Sequence, residues 1–509
     1  MLFILRTLIA FALLVATAAR AQDIATTYPQ SRAWFPEADR FGVIEGEPRA
    51  APVYAGAHVV GYLFLTSDLV RIPAYSGRPI NSLVGFDLAG RIRGVAIVAH
   101  EEPILAVGIS EERLRAFSDQ YRGKSVYDRI AVGAERPGHV SIDTISGATI
   151  TVMVQNQTLT QAARRVAEAR GIVLPAARDA AAEAGAKPLW VDVWKERKFQ
   201  IAVLAVGLIA LNVILLFQDW FAQRPRLLEG VRRGFLLYTV FFIGWYGLAQ
   251  LSVVHVLTFI NAATRDFRWE TFLIDPMIFI LWSFVAFSLL LWGRGVFCGW
   301  LCPFGALQEL LQQSARRFGV RQWEFPAVVH ERLWGVKYII LLALFGMSLQ
   351  SMGQAVRYAE VEPFKTAITL RFYREWPFVL YAVGLLAVSV VNRKFFCKYL
   401  CALGAALSIP GRFRVFEWWL RRRKECGRPC QTCANLCEVR AIRPTGEINA
   451  NECHYCLDCQ VTYYSNLRCQ PLIDRRVKRE QRAARTGTQA AQGAPGAQGV
   501  KYPESRPDS

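Results

Sequence analysis

Eight cysteines fall within 44 residues, in two groups: Cys426, Cys430, Cys433 and Cys437, then Cys453, Cys456, Cys459 and Cys469. Each group holds three closely spaced thiols and a fourth further along. Three thiolates on a tight loop can wrap three corners of an iron–sulfur cubane, and a distant fourth can close it. Two structural zinc sites are the competing chemistry, although zinc prefers paired CxxC knuckles. The remaining four cysteines form two CxxxC pairs, Cys298/Cys302 and Cys397/Cys401, each followed by Gly-Ala (Gly305-Ala306 and Gly404-Ala405). A spacing of four puts both thiols of a pair on one helix face. Two such pairs could meet as a four-thiolate site. The chemistry open to them is a further metal site or a dithiol redox pair; the bland alternative is burial as small hydrophobes.

The eight-cysteine spacing follows the logic of bacterial two-cluster ferredoxins, in which the fourth cysteine of one run ligates the other cluster. By that logic one [4Fe–4S] cluster takes Cys426, Cys430, Cys433 and Cys469, and the second takes Cys453, Cys456, Cys459 and Cys437. The first gap is x3 rather than x2, the last gap is x9 rather than x3, and no proline follows Cys437. A third constellation lies far upstream. Asp143-Thr144-Ile145-Ser146-Gly147-Ala148-Thr149-Ile150-Thr151 resembles the covalent FMN attachment sequence D-x-x-[ST]-G-A-[ST]-x-[ST]. The resemblance implies that the Thr151 hydroxyl forms a phosphoester with FMN, installed by a flavin transferase, and that Asp143 binds the metal used in that transfer. Gly147 and Ala148 let a phosphate approach backbone N–H groups, and the run Val152-Met153-Val154 looks like the start of a helix, whose N-terminus favours phosphate. The bland alternative is a Ser/Gly/Thr turn.

These motifs must be held on a chain of 509 residues that is 53% hydrophobic and 20% charged, with 60 basic against 41 acidic residues and a net charge of +19. Such a composition is too apolar for an ordinary soluble protein and excludes a disordered one. Residues 1–21 read as a signal peptide, with Arg6, an apolar stretch from Leu8 to Ala18, and Ala19-Arg20-Ala21 as the small-x-small site. Residues 22–195 carry strand-like runs at 59–65 and 94–98 and helical patterns at 110–120 and 158–170, which predicts an exported α+β domain. Five apolar runs follow, at 199–217, 234–257, 276–292, 338–352 and 377–391, making a polytopic helical membrane domain over 196–424. Basic loops after the first, third and fifth runs belong in the cytoplasm by the positive-inside rule. An exported N-terminal domain and an odd number of spans put the C-terminus there too, where all 12 thiols stay reduced. The ferredoxin-like 2[4Fe–4S] domain then occupies 425–475, and 476–509 reads as a disordered tail. The basic excess lies beside the spans and no recognition motif accompanies it, so nucleic-acid binding is excluded as the reading of the charge. Six histidines, of which only His255 is near an apolar run, cannot build an intramembrane bis-histidine haem from this chain alone.

Together these features resemble the NosR/NirI family of membrane flavo-iron–sulfur proteins, from about residue 60 to 475. The stretches that carry the resemblance begin at Cys298-Gly-Trp-Leu-Cys-Pro-Phe-Gly-Ala, at Lys424-Glu-Cys-Gly-Arg-Pro-Cys, and at Asn451-Glu-Cys-His-Tyr-Cys-Leu-Asp-Cys. The chain departs from the family in a shorter exported part and in Ala402, where proline is usual. The resemblance implies an electron-transfer or accessory protein rather than a substrate-converting enzyme. It would sit in the bacterial inner membrane, its FMN domain periplasmic and its C-terminus cytoplasmic. It would pass electrons to periplasmic nitrous oxide reductase or its maturation factors, with quinol a candidate carrier. Two other roles are open: a redox-sensing regulator of expression of that reductase, or an electron donor to another periplasmic reductase, whose known examples lack a ferredoxin-like tail.

Overall fold

The computed structural model describes residues 24–492, apart from 73–78, 101–110, 134–137, 146–148, 173–188, 265–266, 268, 414, 416–419 and 428. The expected signal peptide therefore lies outside the described residues. The chain divides into two compact units. The first takes Met1–Leu208, Tyr238–Phe284 and Cys302–Ala406; the second takes Ile209–Leu237, Val285–Leu301 and Leu407–Ser509.

The N-terminal part of the first unit is the expected α+β domain. Five strands, β1 (Arg40–Phe41), β2 (Ala51–Ala55), β3 (His58–Leu65), β4 (Asn81–Asp87) and β5 (Ile92–Ala99), form one antiparallel sheet in sequence order. A parallel pair, β6 (Ile130–Val132) with β7 (Val140–Ile142), stands apart from it. Helix α1 (Glu111–Asp119) and the long α2 (Thr149–Ala169) supply the helical layer. Strand β4 is buried along most of its length because both sheet faces are covered. On one face Phe64, Val84 and Phe86 pack with Val152, Leu159 and Val166 of α2. On the other, Leu63 and Leu83 pack with Ile24 and Phe35 of the N-terminal segment. Burying one such side chain contributes about 1.5–3 kcal/mol. Gly85 and Gly94 pair across β4 and β5 beneath Trp34, and a Cβ on Gly94 would overlap the indole. The sheet needs glycine there to admit the ring.

From residue 198 to Ser408 the described chain is mainly helical. In order come α3 (Lys198–Leu216), α4 (Pro225–Tyr238), α5 (Val253–Thr264), α6 (Pro276–Leu291), α7 (Pro303–Arg317), α8 (Ala327–Gln350), α9 (Trp376–Val391), α10 (Phe395–Tyr399) and α11 (Ala402–Ser408). Two of these, α3 and α8, are long and apolar enough to cross a membrane; α5, α6 and α9 are shorter apolar helices. The apolar run at 234–257 is not one helix, which corrects the expected second span. The helix α4 passes into a wide π-type turn, Thr239–Tyr246, and then breaks, with Leu248 at φ 53°. Hydropathy reports only what a segment can bury, and a run of apolar side chains is compatible with a break wherever tertiary partners take up the freed backbone groups. Here buried Gln250 does so, donating to the Leu251 carbonyl and accepting from the Phe304 N–H. The expected fourth span, 338–352, is likewise the end of a longer helix that begins at Ala327. His330 lies in its first turn, so His255 is not alone beside the apolar helices.

The interior of this helical part is unusually polar. Lys394 and Glu309 form a buried ion pair at 2.6 Å, with side chains 3% and 2% exposed. Removing one partner leaves a buried charge uncompensated, which typically costs about 3–5 kcal/mol. Lys394→Met is therefore expected to lower the thermal unfolding temperature of the purified protein sharply. The double variant Lys394→Met/Glu309→Leu should recover most of that loss, and a double variant no better than the single would refute the pairing.

The second unit contains α4, the segment Val285–Leu301 and the cysteine-rich part. Its small elements include α12 (Asp458–Tyr464), and it ends in α13 (Gln470–Gln492). This last helix corrects the expected disordered tail for residues 476–492; 493–509 lie outside the described residues. Its basic sequence reads as solvated coil by composition. As a helix it gains i,i+4 support from Arg476–Glu480, and Arg475 pairs with Glu425.

Candidate functional site: a flavin helix, two cysteine loops and a duplicated CxxxC turn

Thr151 stands in the first turn of α2, which carries no acidic residue in that turn, and its side chain is 5% exposed. Its position suits a phosphate at a helix N-terminus. Ser146, Gly147 and Ala148, and the side chain of Thr149, lie outside the described residues. Asp143 follows β7 on the surface, and its N–H donates to Gln120 Oε1 at 2.7 Å. Helical spacing sets Thr151, Gln155 and Thr158 on one face of α2. All three are buried. Gln155 donates to Ser118 Oγ at 3.1 Å, yet its Oε1 and the Thr158 hydroxyl have no hydrogen-bond partner among the described residues. Unsatisfied buried polar atoms are costly, and this stripe fits a polar ligand alongside α2. Val154, on the same helix, packs with Ile80 and Ile274. The flavin-motif helix is thereby tied to the corner before α6, next to an aromatic cluster of Phe259, Phe267, Trp269 and Phe272.

In the second unit the cysteines gather as two neighbourhoods. Cys426, Cys430 and Cys433 line a small open pocket together with Arg422, Ile442 and Arg443. Its wall is built by two glycines back to back, Gly427 at φ 109° and Gly446 at φ 92°; a Cβ on either would overlap the other's strand of backbone. Burial pushes the Cys433 thiol up; Arg422 opposes, and Cys426 and Cys430 push it further up. The other neighbourhood contains Cys437, Cys453, Cys456 and Cys459. Burial raises Cys459, and the sulfurs of Cys453 and Cys437 add to the shift. Burial raises Cys456 well above the usual thiol range, with Asp458 and Cys437 contributing and Arg232 opposing. Cys437 is raised by burial and eased by the backbone of Ala441 and Val439. Buried thiols crowded in this way resist ionisation until a cation compensates them, which is the chemistry of a metal centre. The loops are shaped for wrapping: Tyr455 and Leu457 adopt φ 52° and 69°. Sulfurs also accept N–H groups, Cys426 from Arg423, Cys453 from Tyr455 and Cys459 from the Gln460 amide, each at 3.4 Å. Thiol donors of this kind are the ligands that hold iron–sulfur clusters. Cys469 is buried and begins the turn into α13.

The two CxxxC turns are built alike. The first runs through a π-type turn, Phe297–Leu301, and ends on Cys302, the N-cap of α7; the second runs through α10 and ends on Cys401, just before α11. Cys302 Sγ accepts from Gly305 N at 3.4 Å, and Cys401 Sγ accepts from Gly404 N at 3.2 Å. Within the first unit, Cys302 also meets Gln250, and Cys397 Sγ accepts from Gln308 Nε2 at 3.1 Å; Gln308 is held in turn by Ser389. Three of the four thiols, Cys302, Cys397 and Cys401, are buried. Gln250 and Gln308 are functional candidates that sequence reasoning missed. Their only sequence signal is a polar amide inside an apolar stretch.

Comparison with known proteins accounts for each of these parts. A family model described as an FMN-binding domain matches residues 75–164. One described as a 4Fe-4S binding domain matches twice, at 274–321 and 375–425, each time across a CxxxC pair. One described as NosR matches 424–480, the eight-cysteine region. "Regulatory protein NosR" of Pseudomonas aeruginosa strain PAO1 is 37% identical over 662 residues, covering 88% of this chain and 92% of the relative. That span exceeds the 509 residues of this chain, so the relative holds residues without a counterpart here. "Protein NirI" of Paracoccus denitrificans is 52% identical over 299 residues, 59% of this chain and 44% of the relative. "Putative electron transport protein YccM" of Escherichia coli K12 is 30% identical over 186 residues, about a third of this chain. Agreement that runs through flavin domain, CxxxC turns and cysteine loops alike makes this chain a member of the NosR/NirI family, an electron-transfer regulatory protein with flavin and iron–sulfur binding domains.

Proposed function

We propose that this protein is a one-chain electron conduit of the bacterial inner membrane that supports periplasmic nitrous oxide reductase or its maturation factors. Its FMN domain is periplasmic and its C-terminus cytoplasmic. The observation that carries the reading is the order of parts: a flavin domain and a pair of cysteine loops at opposite ends of one chain, with apolar helices between them. Thr151 holds FMN as a phosphoester installed by a flavin transferase, with Asp143, Ser146, Gly147, Ala148 and Thr149 shaping the attachment turn. Covalent attachment suits an exported flavin, because FMN lost there is not replaced from the cytoplasm. Cys426, Cys430, Cys433 and Cys469 bind one cubane; Cys453, Cys456, Cys459 and Cys437 bind the other. When bound, these groups supply one-electron steps at the cysteine loops and one- or two-electron chemistry at the flavin. The protein's own side chains hold the groups, keep water from them and tune their charge, as Arg422 does beside Cys433. The pairs Cys298/Cys302 and Cys397/Cys401 supply further metal or redox thiols, and the N–H groups donated to Cys302, Cys397 and Cys401 support thiolate character there. The hydrocarbon core is roughly 30 Å thick, so quinol or a partner subunit bridges whatever gap the thiols leave.

A second reading is redox-sensing regulation of reductase expression, and what favours it is the name "Regulatory protein NosR" that relatives of this chain carry. Reporter fusions and vesicles of known sidedness test the conduit. Fusions within 22–195 and 425–475 should report opposite compartments. A membrane-impermeant reductant added on the cytoplasmic face should bleach the flavin only when both cysteine loops are loaded. Fusions reporting one compartment would end the conduit reading.

A further inference from the structure

The two CxxxC turns are copies that differ at two glycines. Aligned on their cysteines, the first reads Arg294-Gly295-Val296-Phe297-Cys298-Gly299-Trp300-Leu301-Cys302 and the second Arg393-Lys394-Phe395-Phe396-Cys397-Lys398-Tyr399-Leu400-Cys401. Gly295 and Gly299 of the first stand where the second has Lys394 and Lys398. The lysines close buried ion pairs, Lys394 with Glu309 at 2.6 Å and Lys398 with Glu324 at 2.9 Å. The glycines leave room instead, and within the second unit a cysteine loop takes it.

Four consecutive residues of that loop are each met by the stretch Arg294–Trp300. Glu452 pairs with Arg294 at 3.2 Å, the two side chains 4% and 1% exposed. A Cβ on Gly295 would stand 2.7 Å from the Cys453 carbonyl oxygen and 3.0 Å from the Tyr455 nitrogen. A Cβ on Gly299 would overlap the His454 carbonyl. The Tyr455 carbonyl accepts from Trp300 Nε1 at 3.0 Å, in buried surroundings. Trp300 is held in turn by Arg232 over its ring and by Phe235 packed edge-on. The grip acts on one peptide unit in particular. The His454 carbonyl and the Tyr455 N–H belong to the same planar group, so fixing one end aims the other. The carbonyl end lies against Gly299, and the N–H end donates to Cys453 Sγ at 3.4 Å. Tyr455 adopts φ 52° here, a left-handed backbone that a tyrosine keeps only where its surroundings hold it.

We infer that Arg294–Trp300 is a peptide clamp, which aims the His454–Tyr455 dipole at the Cys453 sulfur and thereby sets the reduction potential of the centre that this loop binds. This rests on the iron–sulfur reading above and deepens it, by naming residues outside the cysteine loops that tune one centre. A sulfur that accepts an N–H is stabilised most in the more negative, reduced state of its centre, so the clamp raises the potential. Gly299 is the point of closest approach, and Trp300 is a positioning residue that anchors the next peptide along. The second turn cannot clamp a loop in this way, because Lys398 stands at the position where the carbonyl would lie.

The test uses the full-length holoprotein in lipid nanodiscs. Gly299→Ala adds one carbon where the His454 carbonyl lies, and it fills space rather than opening a path for water. The peptide must tilt, and overpacking of this kind weakens a docked segment by roughly tenfold. Amide hydrogen exchange over residues 453–456 should quicken by about that factor, with iron and sulfide at wild-type counts. In a reductive titration followed by electron paramagnetic resonance, one of the two iron–sulfur potentials should fall and the other should stay. Trp300→Phe, which keeps a ring and loses the N–H, should lower the same potential by less, and it decides the matter if Gly299→Ala does not assemble. Unchanged potentials in a loaded variant overturn the clamp even where exchange quickens, because faster exchange alone describes a brace. A rise in that potential overturns it as well. A wild-type chain that holds zinc, or no metal, in its cysteine loops overturns the iron–sulfur reading itself, and the clamp falls with it.

Discussion

Thr151→Ala protein, purified and then denatured, should carry no flavin: yellow fluorescence retained by the unfolded wild-type chain should fall from about one flavin per chain to none. Covalent attachment is all-or-nothing, so no other single change is expected to have so large an effect. Thr151→Ser keeps a hydroxyl at the same place and should keep the flavin. Iron and sulfide should not change, because the cysteine loops lie in the other unit. The choice between two threonines of the motif is itself tested. Thr149 opens α2 and Thr151 lies within its first turn; fluorescence lost from Thr149→Ala but kept in Thr151→Ala would move the phosphoester to the opening residue. The same variant separates conduit from regulator. If nitrous oxide reductase stays active without the flavin while its expression still needs this protein, electrons do not pass through FMN.

Cys437→Ser should halve the bound iron, from about eight to about four per chain, and the loss should come from the Cys453 loop. The reason is spatial. Cys437 follows Cys433 in the chain, yet its sulfur acts on Cys456 and Cys459, while Cys433 feels Cys426 and Cys430. Non-additivity makes the assignment sharp. Cys437→Ser combined with Cys456→Ser should lose no more iron than either alone, since the proposed assignment puts both on one cubane. Cys437→Ser combined with Cys430→Ser should lose nearly all of it. The reverse pattern would mean that each run of four cysteines keeps its own cluster, without exchange. Zinc in place of iron, measured on the same preparations, would support the knuckle alternative.

The sequence by itself set the class of chemistry, flavin and iron–sulfur binding. Thiol spacing is a local property, so Cys426–Cys437 and Cys453–Cys469 read as cluster-binding loops, and Asp143–Thr151 as a flavin turn, before any fold was known. It also determined the α+β character of the N-terminal part, because strand alternation and helical period are written within single segments. Hydropathy marked where apolar helices occur. It could not show that 234–257 breaks at Leu248, since what permits the break is Gln250 meeting Phe304, 54 residues away. Nor could composition show α13 extending to Gln492, because a basic, alanine-containing stretch is equally consistent with coil. Only the tertiary structure decided which neighbourhood Cys437 joins, which amides hold the CxxxC sulfurs, and what Gly299 is for. The exchange of Gly299 for Lys398 is visible in the letters. Its meaning is not, because a glycine is read as backbone freedom until the carbonyl that needs its empty side is found, here at His454, 155 residues later in the chain. Side-chain type and local spacing fix what a residue can do, and long-range packing fixes what it does it to.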